Sequence, residues 1–234
     1  MTDLTQPRFE EMVDFFKSGR RRSYKKGEII LRPGDIHQGI YFIEEGFIKV
    51  FGYSKDGIQH DHIFYQPGDL FPLMWVFRDI TRSVYYEAMT PAVLRLKPKD
   101  EFIDFIKLNN TVLFKLVEYA TALFFSYADR IDNLLYSNSL EKVAYRFLSL
   151  ASGYGKEQAG KIVIDVPITH KDLANSVSIS RETATRTIGR LQRKGILSVN
   201  SNHLFVINDL KGLIKIIGID TVESMWKNLV SPSK

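Results

Sequence analysis

Residues 168–194 read ITHKDLANSVSISRETATRTIGRLQRK, and this stretch decides the class of fold. Two short helical patterns flank a turn at residues 178–180, and arginine recurs in the second pattern. Thr169 and Asp172 have the spacing of a capping box, and Ser180 has the side chain of a second N-cap. This arrangement is typical of a unit that lays its second helix in the DNA major groove.

The second helical pattern separates a buried stripe from an outward face. Ala184, Ile188 and Leu191 are spaced three and four apart, which predicts the buried stripe. Arginine pairs with guanine O6 and N7, and a carboxylate accepts from cytosine N4, so the outward residues have the chemistry of base reading. The alternative is a charged face that is only solvated. The candidate DNA-binding residues are Thr169, Ser180, Arg181, Glu182, Thr183, Thr185, Arg186 and Arg190.

The composition favours an anionic partner and excludes several chemistries. Lys and Arg number 32 against 27 Asp and Glu, a net charge of +5, and the surplus is concentrated in residues 140–209. Cysteine is absent, which excludes disulfides and thiolate metal sites. The sequence has no phosphate-binding Gly-rich loop and no nucleophile elbow, so we expect a protein that is not an enzyme. No apolar run reaches the about 20 residues of a membrane span and no signal peptide is seen, so we expect a cytoplasmic protein without membrane contact.

From Tyr24 to about Lys97 the sequence has the pattern of short strands. Apolar and polar residues alternate between turns at 33–35, 45–46 and 55–57, which predicts an antiparallel roll or barrel. The preceding arginines at 20–22 are interpreted as a solvated charge run. Alternation places His60 and His62 on one strand face without a third ligand, so no metal site is predicted.

From about Lys99 to Ser137 the pattern is helical, with apolar residues stepping by four and three over three heptads. This period favours a two-helix seam over a helix that packs only on its own domain. A homodimer follows, and a symmetric dimer presents its two reading helices about 34 Å apart, one turn of B-DNA. The candidate dimerisation residues are Leu113, Val117, Ala120, Phe124, Tyr127, Ile131 and Leu134.

The remaining segments complete the predicted organisation. Residues 136–139 break the helical pattern as a hinge, and a helix is expected from Leu140 to about Ser152. Residues 196–207 predict a β-hairpin wing that turns at 200–202, and residues 209–229 an amphipathic helical tail without an assigned role. We therefore expect an α+β chain: an antiparallel β-roll effector domain (1–98), a dimerisation helix (99–137) and a winged helix-turn-helix domain (138–234).

This order of parts resembles the cyclic AMP receptor protein and FNR family of bacterial transcription regulators over residues 24–213. The resemblance is carried by the roll pattern KKGEIILRPGD…YFIEEGFIKV, by the long helix, and by SRETATR at 180–186, which is similar to the family's R-E-x-x-x-R motif. It implies a homodimeric, sequence-specific regulator in which Arg181, Glu182 and Arg186 read a TGTGA-like half-site of an inverted repeat. Ser180 and Thr183 would hold phosphates, and RNA polymerase is a further implied partner, with activation or repression left open. The alternative is a cyclic-nucleotide sensor that acts through a protein partner.

The effector is left open by the same resemblance. Cyclic-nucleotide-binding members carry a cassette that resembles G-E-L followed by R-S-A or R-T-A. Gly68, Leu70, Arg82 and Ser83 fit this cassette, and Asp69 stands in place of its glutamate. These five residues and Tyr127 of the long helix are the candidate ligand site. Three departures weaken cyclic AMP as the cofactor: the short Asp69, a long loop with Pro72, and Tyr127-Ala128 in place of adjacent hydroxyls. Cyclic AMP, another small ligand and no ligand at all remain as alternatives.

Overall fold

The computed structural model describes residues 10–80, 82–135 and 138–218. The described residues divide into two compact units, one that ends at residue 123 and one that begins at residue 124. The division lies between Leu123 and Phe124, inside one long helix, rather than at either end of a separate dimerisation segment. The domain limits expected from sequence therefore remain predictions. Within the described ranges no helix has the length and apolarity that crossing a membrane requires.

The first unit combines short strands with helices at both of its ends. The long last helix, α4, continues past this unit into the second one. In chain order the elements are α1 (Glu10–Lys17), β1 (Arg20–Tyr24), β2 (Ile29–Leu31), β3 (Ile40–Glu45), β4 (Ile48–Tyr53), β5 (Gln59–Tyr65), β6 (Leu70–Phe71), α2 (Leu73–Arg78), β7 (Tyr85–Ala88), β8 (Ala92–Lys97), α3 (Lys99–Lys107) and α4 (Asn110–Leu135).

The strands of the first unit form two four-stranded antiparallel sheets, with the orders β1-β8-β3-β6 and β2-β7-β4-β5. This architecture confirms the predicted antiparallel roll. The strands begin at Arg20, earlier than the sequence pattern indicated, because the arginine run itself pairs with β8. Arg20 and Arg21 remain exposed on this edge strand, where charge discourages pairing with another chain.

The simple alternation expected at His60 and His62 is interrupted by a bulge. Val50 on β4 pairs with Ile63, whereas the next residue, Phe51, pairs with Asp61, so His62 is the extra residue of β5. Asp61 is buried, and Gln59 Nε2 donates to its carboxylate at 2.7 Å. Both histidines are half-buried rather than exposed. Among the described residues no group of three or more His, Cys, Asp or Glu is placed to hold a metal ion.

The core of the first unit lies between the helices and the inner faces of the strands. The long helical region is confirmed, but it is interrupted at residues 108–109 between α3 and α4. Helices α1 and α2 were not predicted, because they have only eight and six residues and no sustained repeat. The buried side chains of this core are Met12, Phe16, Ile40, Phe42, Leu70, Val76, Phe102, Ile106, Val112, Leu116 and Tyr119.

The second unit contains a bundle of helices with one small sheet, of strand order β11-β12-β10-β9. The predicted wing is confirmed as β11 and β12, whereas the β9–β10 hairpin was not predicted. Its further elements are α5 (Ser139–Tyr154), β9 (Gly155–Gln158), β10 (Lys161–Ile164), α6 (His170–Val177), α7 (Arg181–Arg193), β11 (Leu197–Val199), β12 (Phe205–Ile207) and α8 (Leu210–Ile217).

Two predictions for the second unit fall partly outside the described residues. Tyr136 and Ser137 of the expected hinge lie outside them, as do residues 219–229 of the expected tail helix. The described part of the tail is α8, which begins at an Asp209 cap whose side chain accepts from the Gly212 N–H at 2.9 Å. Helix α8 buries Leu213 and Ile217.

Gly46 and Gly57 provide a test of backbone packing in the roll. Both have positive φ, +87° and +75°, but a Cβ on Gly46 would lie 2.4 Å from the Pro91 carbonyl oxygen, whereas a Cβ on Gly57 would meet nothing within 4 Å. We expect Gly57→Ala to cost about 1 kcal/mol through backbone strain alone. Gly46→Ala should cost about 1–3 kcal/mol more, because backbone must move. Urea unfolding of the two variants at one protein concentration measures the difference, and equal losses would contradict the close approach.

Candidate nucleic-acid interface

Helix α6 begins and ends at well-defined caps. The Thr169 hydroxyl accepts from the Asp172 N–H at 3.1 Å, and the Asp172 carboxylate accepts from the Thr169 N–H at 2.9 Å, which confirms the predicted capping box. The helix ends at Val177, because Ser178 takes a left-handed conformation with φ 55° and ψ 49°. The Ser178 N–H still donates to the Ala174 carbonyl. These caps fix the short turn that separates the two helices.

The first turn of α7 is organised by hydroxyl groups. The Ser180 side chain accepts from the Thr183 N–H at 3.1 Å and donates to the Thr183 hydroxyl at 3.0 Å. Arg186 Nη2 lies 3.4 Å from the same Thr183 oxygen, a long contact that places the guanidinium beside this turn. The predicted Ser180 cap is therefore confirmed, and a hydrogen bond between the two side chains accompanies it.

The predicted buried stripe of α7 is confirmed. Ala184, Ile188 and Leu191 are fully buried, and Thr187 joins them at 7% exposure. The structure brings the predicted DNA-binding residues together as the opposite, outward surface of the helix-turn-helix. Arg181, Glu182, Thr185, Arg186 and Arg190 of α7 are exposed, Ser180 and Thr169 are exposed at the two caps, and Thr183 is half-buried.

His170 belongs to this interface and was missed by sequence reasoning. It is the first residue of α6, and its Nδ1 lies 3.1 Å from the Thr185 hydroxyl of α7. Its ring stacks on Phe205 of the wing, with centroids 5.8 Å apart and planes inclined by 23°. Burial lowers the pKa of His170, and the nearby Arg181 charge lowers it further. The sequence shows only a histidine directly after the Thr169 cap, and this does not reveal its contacts with α7 and the wing.

The outward surface rests on a buried scaffold. Arg146 of α5 donates from Nε to the Ser176 hydroxyl of α6 at 3.1 Å, and that hydroxyl donates to the Leu173 carbonyl at 2.8 Å. Phe147 of α5 meets Phe205 of the wing edge-on at 5.0 Å between centroids. Helix α5 therefore holds both α6 and the wing, which positions the elements on either side of α7.

The predicted dimerisation residues form an exposed apolar face on α4. Leu113, Val117, Phe124 and Ile131 are exposed by 41%, 56%, 72% and 62%, and Ala120 is exposed as well. The predicted Tyr127 is half-buried, and the Leu134 side chain lies outside the described residues.

A neighbouring face of α4, about 100° round the helix, is packed within the first unit. Val112, Leu116 and Tyr119 are 3–4% exposed and belong to the core. An apolar stripe with the period of a coiled-coil seam thus remains uncovered in a single chain, in addition to the face that stabilises the fold.

Asp69, the candidate acceptor for an effector, closes a turn of its own backbone. Gly68 has a φ of 89°, and the Asp69 carboxylate accepts from the Gln66 N–H at 2.8 Å. The same arrangement recurs at residues 32–35, where the Asp35 carboxylate accepts from the Arg32 N–H at 2.7 Å. Asp69 is 4% exposed. Its carboxylate therefore has a structural role that is independent of any ligand.

The other candidate ligand residues lie in different parts of the chain. Leu70 follows the turn and is fully buried in the core of the first unit. Arg82 is half-buried and Ser83 exposed, after helix α2. The Ser83 carbonyl and His62 Nε2 both approach Gly52 of β4. Tyr127 belongs to the second unit. The structure thus groups Gly68, Asp69 and Leu70 at one turn, and the ligand roles of all six residues remain predictions.

Known proteins match the chain along most of its length. Residues 21–109 match the model of a cyclic nucleotide-binding domain, and residues 141–216 that of a Crp-like helix-turn-helix domain. The chain is 25% identical over 199 residues to the anaerobic regulatory protein of Haemophilus influenzae (85% of this chain, 77% of that protein). It is 28% identical over 194 residues to the transcriptional regulator SdrP of Thermus thermophilus (82% and 91%). A solved structure of a CooA mutant from Carboxydothermus hydrogenoformans has a TM-score of 0.77 at 15% identity (92% and 97%), which shows a common fold.

The lowered pKa of His170 predicts a pH dependence of stability. In the unfolded chain the imidazole has a pKa of about 6.5, above its value in the fold, so protonation favours unfolding. The free energy of unfolding should therefore decrease as the pH is lowered from 7.5 through about 6.5. This decrease should be smaller in His170→Asn. Urea unfolding of both proteins across the range measures the slopes. His37, whose pKa burial also lowers, is present in both proteins and cancels in the comparison. Identical slopes would contradict the prediction.

Proposed function

The chain belongs to the cyclic AMP receptor protein and FNR family of transcription regulators, and we propose that it binds an inverted-repeat DNA site as a homodimer through the outward surface of α7. DNA-binding regulation is the function of its relatives, which are not enzymes. The site residues, the half-site sequence and the polymerase contact are the parts that this proposal adds.

The observation that carries the proposal is the composition of the exposed first turns of α7. Arg181, Glu182 and Arg186 are exposed there, while the hydroxyls of Ser180 and Thr183 organise the backbone next to them. Base readers in this class of motif sit at the N-terminal end of the second helix, where these residues lie. The two arginines have the geometry to pair with guanine, and the glutamate accepts from cytosine. This set supports a TGTGA-like half-site.

Phosphate contacts would set the register of the helix on the duplex. Ser180 and Thr169 are exposed hydroxyl residues at the starts of α7 and α6, and backbone N–H groups at helix N-termini also favour phosphate. Arg190 is exposed about one turn beyond Arg186 on the same helix and supplies a further cation for the DNA backbone. These contacts add affinity on every sequence, in contrast to the base readers.

Dimerisation follows from the uncovered face of α4. Two copies of the stripe Leu113, Val117, Phe124 and Ile131 would cover one another in a parallel seam, and burial of these side chains supplies the driving force. A two-fold dimer would present two α7 helices to successive major grooves, as an inverted repeat requires. As part of the proposal, RNA polymerase is the partner of the DNA-bound dimer.

The identity of the effector, if there is one, depends on the residues of the roll. The Asp69 carboxylate is 4% exposed and one of its two oxygens accepts from the Gln66 N–H, which argues against a ribose hydroxyl reaching it. Another small ligand, or none, is therefore favoured over cyclic AMP. The alternative function, a nucleotide sensor with a protein partner as its only output, would leave the exposed arginines of α7 without a role.

Removing Arg186 should weaken recognition of the cognate site specifically. Arg186→Ala should lower affinity by a factor of about 5–150, equivalent to about 1–3 kcal/mol, on a duplex with the inverted repeat and far less on an unrelated duplex. Lys211→Ala, which removes an exposed cation from α8, is the matched control. Fluorescence anisotropy with both duplexes at two salt concentrations separates base reading from phosphate attraction. An equal loss on both duplexes would show that Arg186 contacts only the backbone.

A charge in the α4 stripe should prevent dimerisation. Phe124→Glu places a carboxylate in the proposed seam, so the variant should sediment as a monomer at concentrations where the wild type is a dimer. Ala122→Glu adds the same charge at an exposed position of α4 outside the stripe and should remain a dimer. Sedimentation velocity measures both. A dimeric Phe124→Glu protein would place the interface elsewhere.

A further inference from the structure

Thr185 is the one predicted DNA-contact residue whose side chain is held by another element. Its hydroxyl lies 3.1 Å from His170 Nδ1, although Thr185 itself is exposed on the outward surface of α7. The imidazole cannot turn freely, because it stacks on Phe205, which is 4% exposed and packs against Phe147. His170 of α6 therefore holds the Thr185 hydroxyl, and Phe205 of the wing holds the His170 ring.

This contact changes what Thr185 offers to DNA. Threonine carries a hydroxyl and a methyl on one carbon, and its branched side chain has a restricted χ1 angle. A free hydroxyl can donate or accept and pairs with many base edges, so it discriminates poorly. A hydrogen bond to the imidazole does not exhaust the hydroxyl, but it fixes the χ1 angle and with it the direction in which the γ-methyl projects. The major-groove feature that an apolar group recognises is the C5-methyl of thymine.

We propose that His170 orients Thr185 as a reader of a thymine methyl, which makes both residues determinants of sequence specificity. Thr185 lies three residues after Glu182 and four after Arg181, so it neighbours both on the helix surface. The thymine would therefore be adjacent to the base pairs that those residues read. This inference rests on the proposed function and adds a position to the half-site that the charged residues alone do not specify.

The test begins with the preferred site of the full-length protein, selected from random duplexes. Each thymine of the half-site is then replaced by uracil, which removes only the C5-methyl and keeps every hydrogen-bonding group. One particular thymine should matter, and its replacement in a single half-site of the duplex should weaken binding about fourfold. This is the factor expected when one methyl group is removed from a contact. The other replacements should have little effect. Fluorescence anisotropy titrations give the ratio of affinities for the thymine and uracil duplexes.

Two conservative variants separate the methyl from the hydroxyl. Thr185→Val has a methyl at both γ positions, so one occupies the same place without the hydrogen bond to His170, and the thymine-to-uracil ratio should be retained. Thr185→Ser keeps the hydroxyl but has no methyl and should bring the ratio to one. His170→Ala releases the hydroxyl, so its ratio should also fall towards one. Because Thr185 is exposed, neither substitution at this position removes buried contacts.

The outcomes distinguish this inference from the function on which it rests. If selection recovers an inverted repeat but no uracil replacement weakens binding, or if Thr185→Ser keeps the wild-type ratio, the methyl-reading role is wrong and the regulator function stands. If selection recovers no preferred sequence, the proposed function fails and this inference fails with it. A ratio that survives in Thr185→Val and disappears in Thr185→Ser supports the inference directly.

Discussion

Helix α4 has two apolar faces, and both have to be shielded from water. The rest of the molecule depends on how each face is covered. Val112, Leu116 and Tyr119 complete the core of the first unit, while Leu113, Val117 and Phe124 point away from it. The side chains of the second set contribute no burial free energy when a single chain folds, because they stay in contact with water. Their burial has to come from association, so the stability of the folded chain and its oligomeric state are linked through one helix.

The surface proposed to bind DNA is already organised in the free protein. The Ser180 and Thr183 hydroxyls shape the first turn of α7, and the capping box of Thr169 and Asp172 fixes the start of α6. His170 joins α6, α7 and the wing through one ring. Side chains that are already held lose less conformational entropy on binding, which favours affinity and a single register on the duplex.

Patterns confined to a few neighbouring residues were predicted correctly, and contacts between distant residues were not. The caps of Thr169 and Ser180, the buried stripe of α7 and the wing hairpin all follow from spacing within one or two turns. The contact of His170 with Phe205 joins residues 35 positions apart, so no local pattern contains it. For Asp69 the resemblance suggested a ligand contact, and it did not reveal that the carboxylate also closes a tight turn. The bulge at His62 likewise depends on β4 and on the register that β4 imposes.

That bulge has a consequence for the loop that joins β4 to β5. The pairs Val50–Ile63 and Phe51–Asp61 fix the hairpin on both sides of His62, well before the chain turns at residues 54–58. The turn is closed by the Ser54 N–H, which donates to the Ile58 carbonyl at 2.9 Å, and its tip is open at Gly57. Strand register is thus decoupled from the number of residues at the tip. A short epitope or fluorophore-labelling sequence inserted there would leave inward and outward faces of both strands as they are.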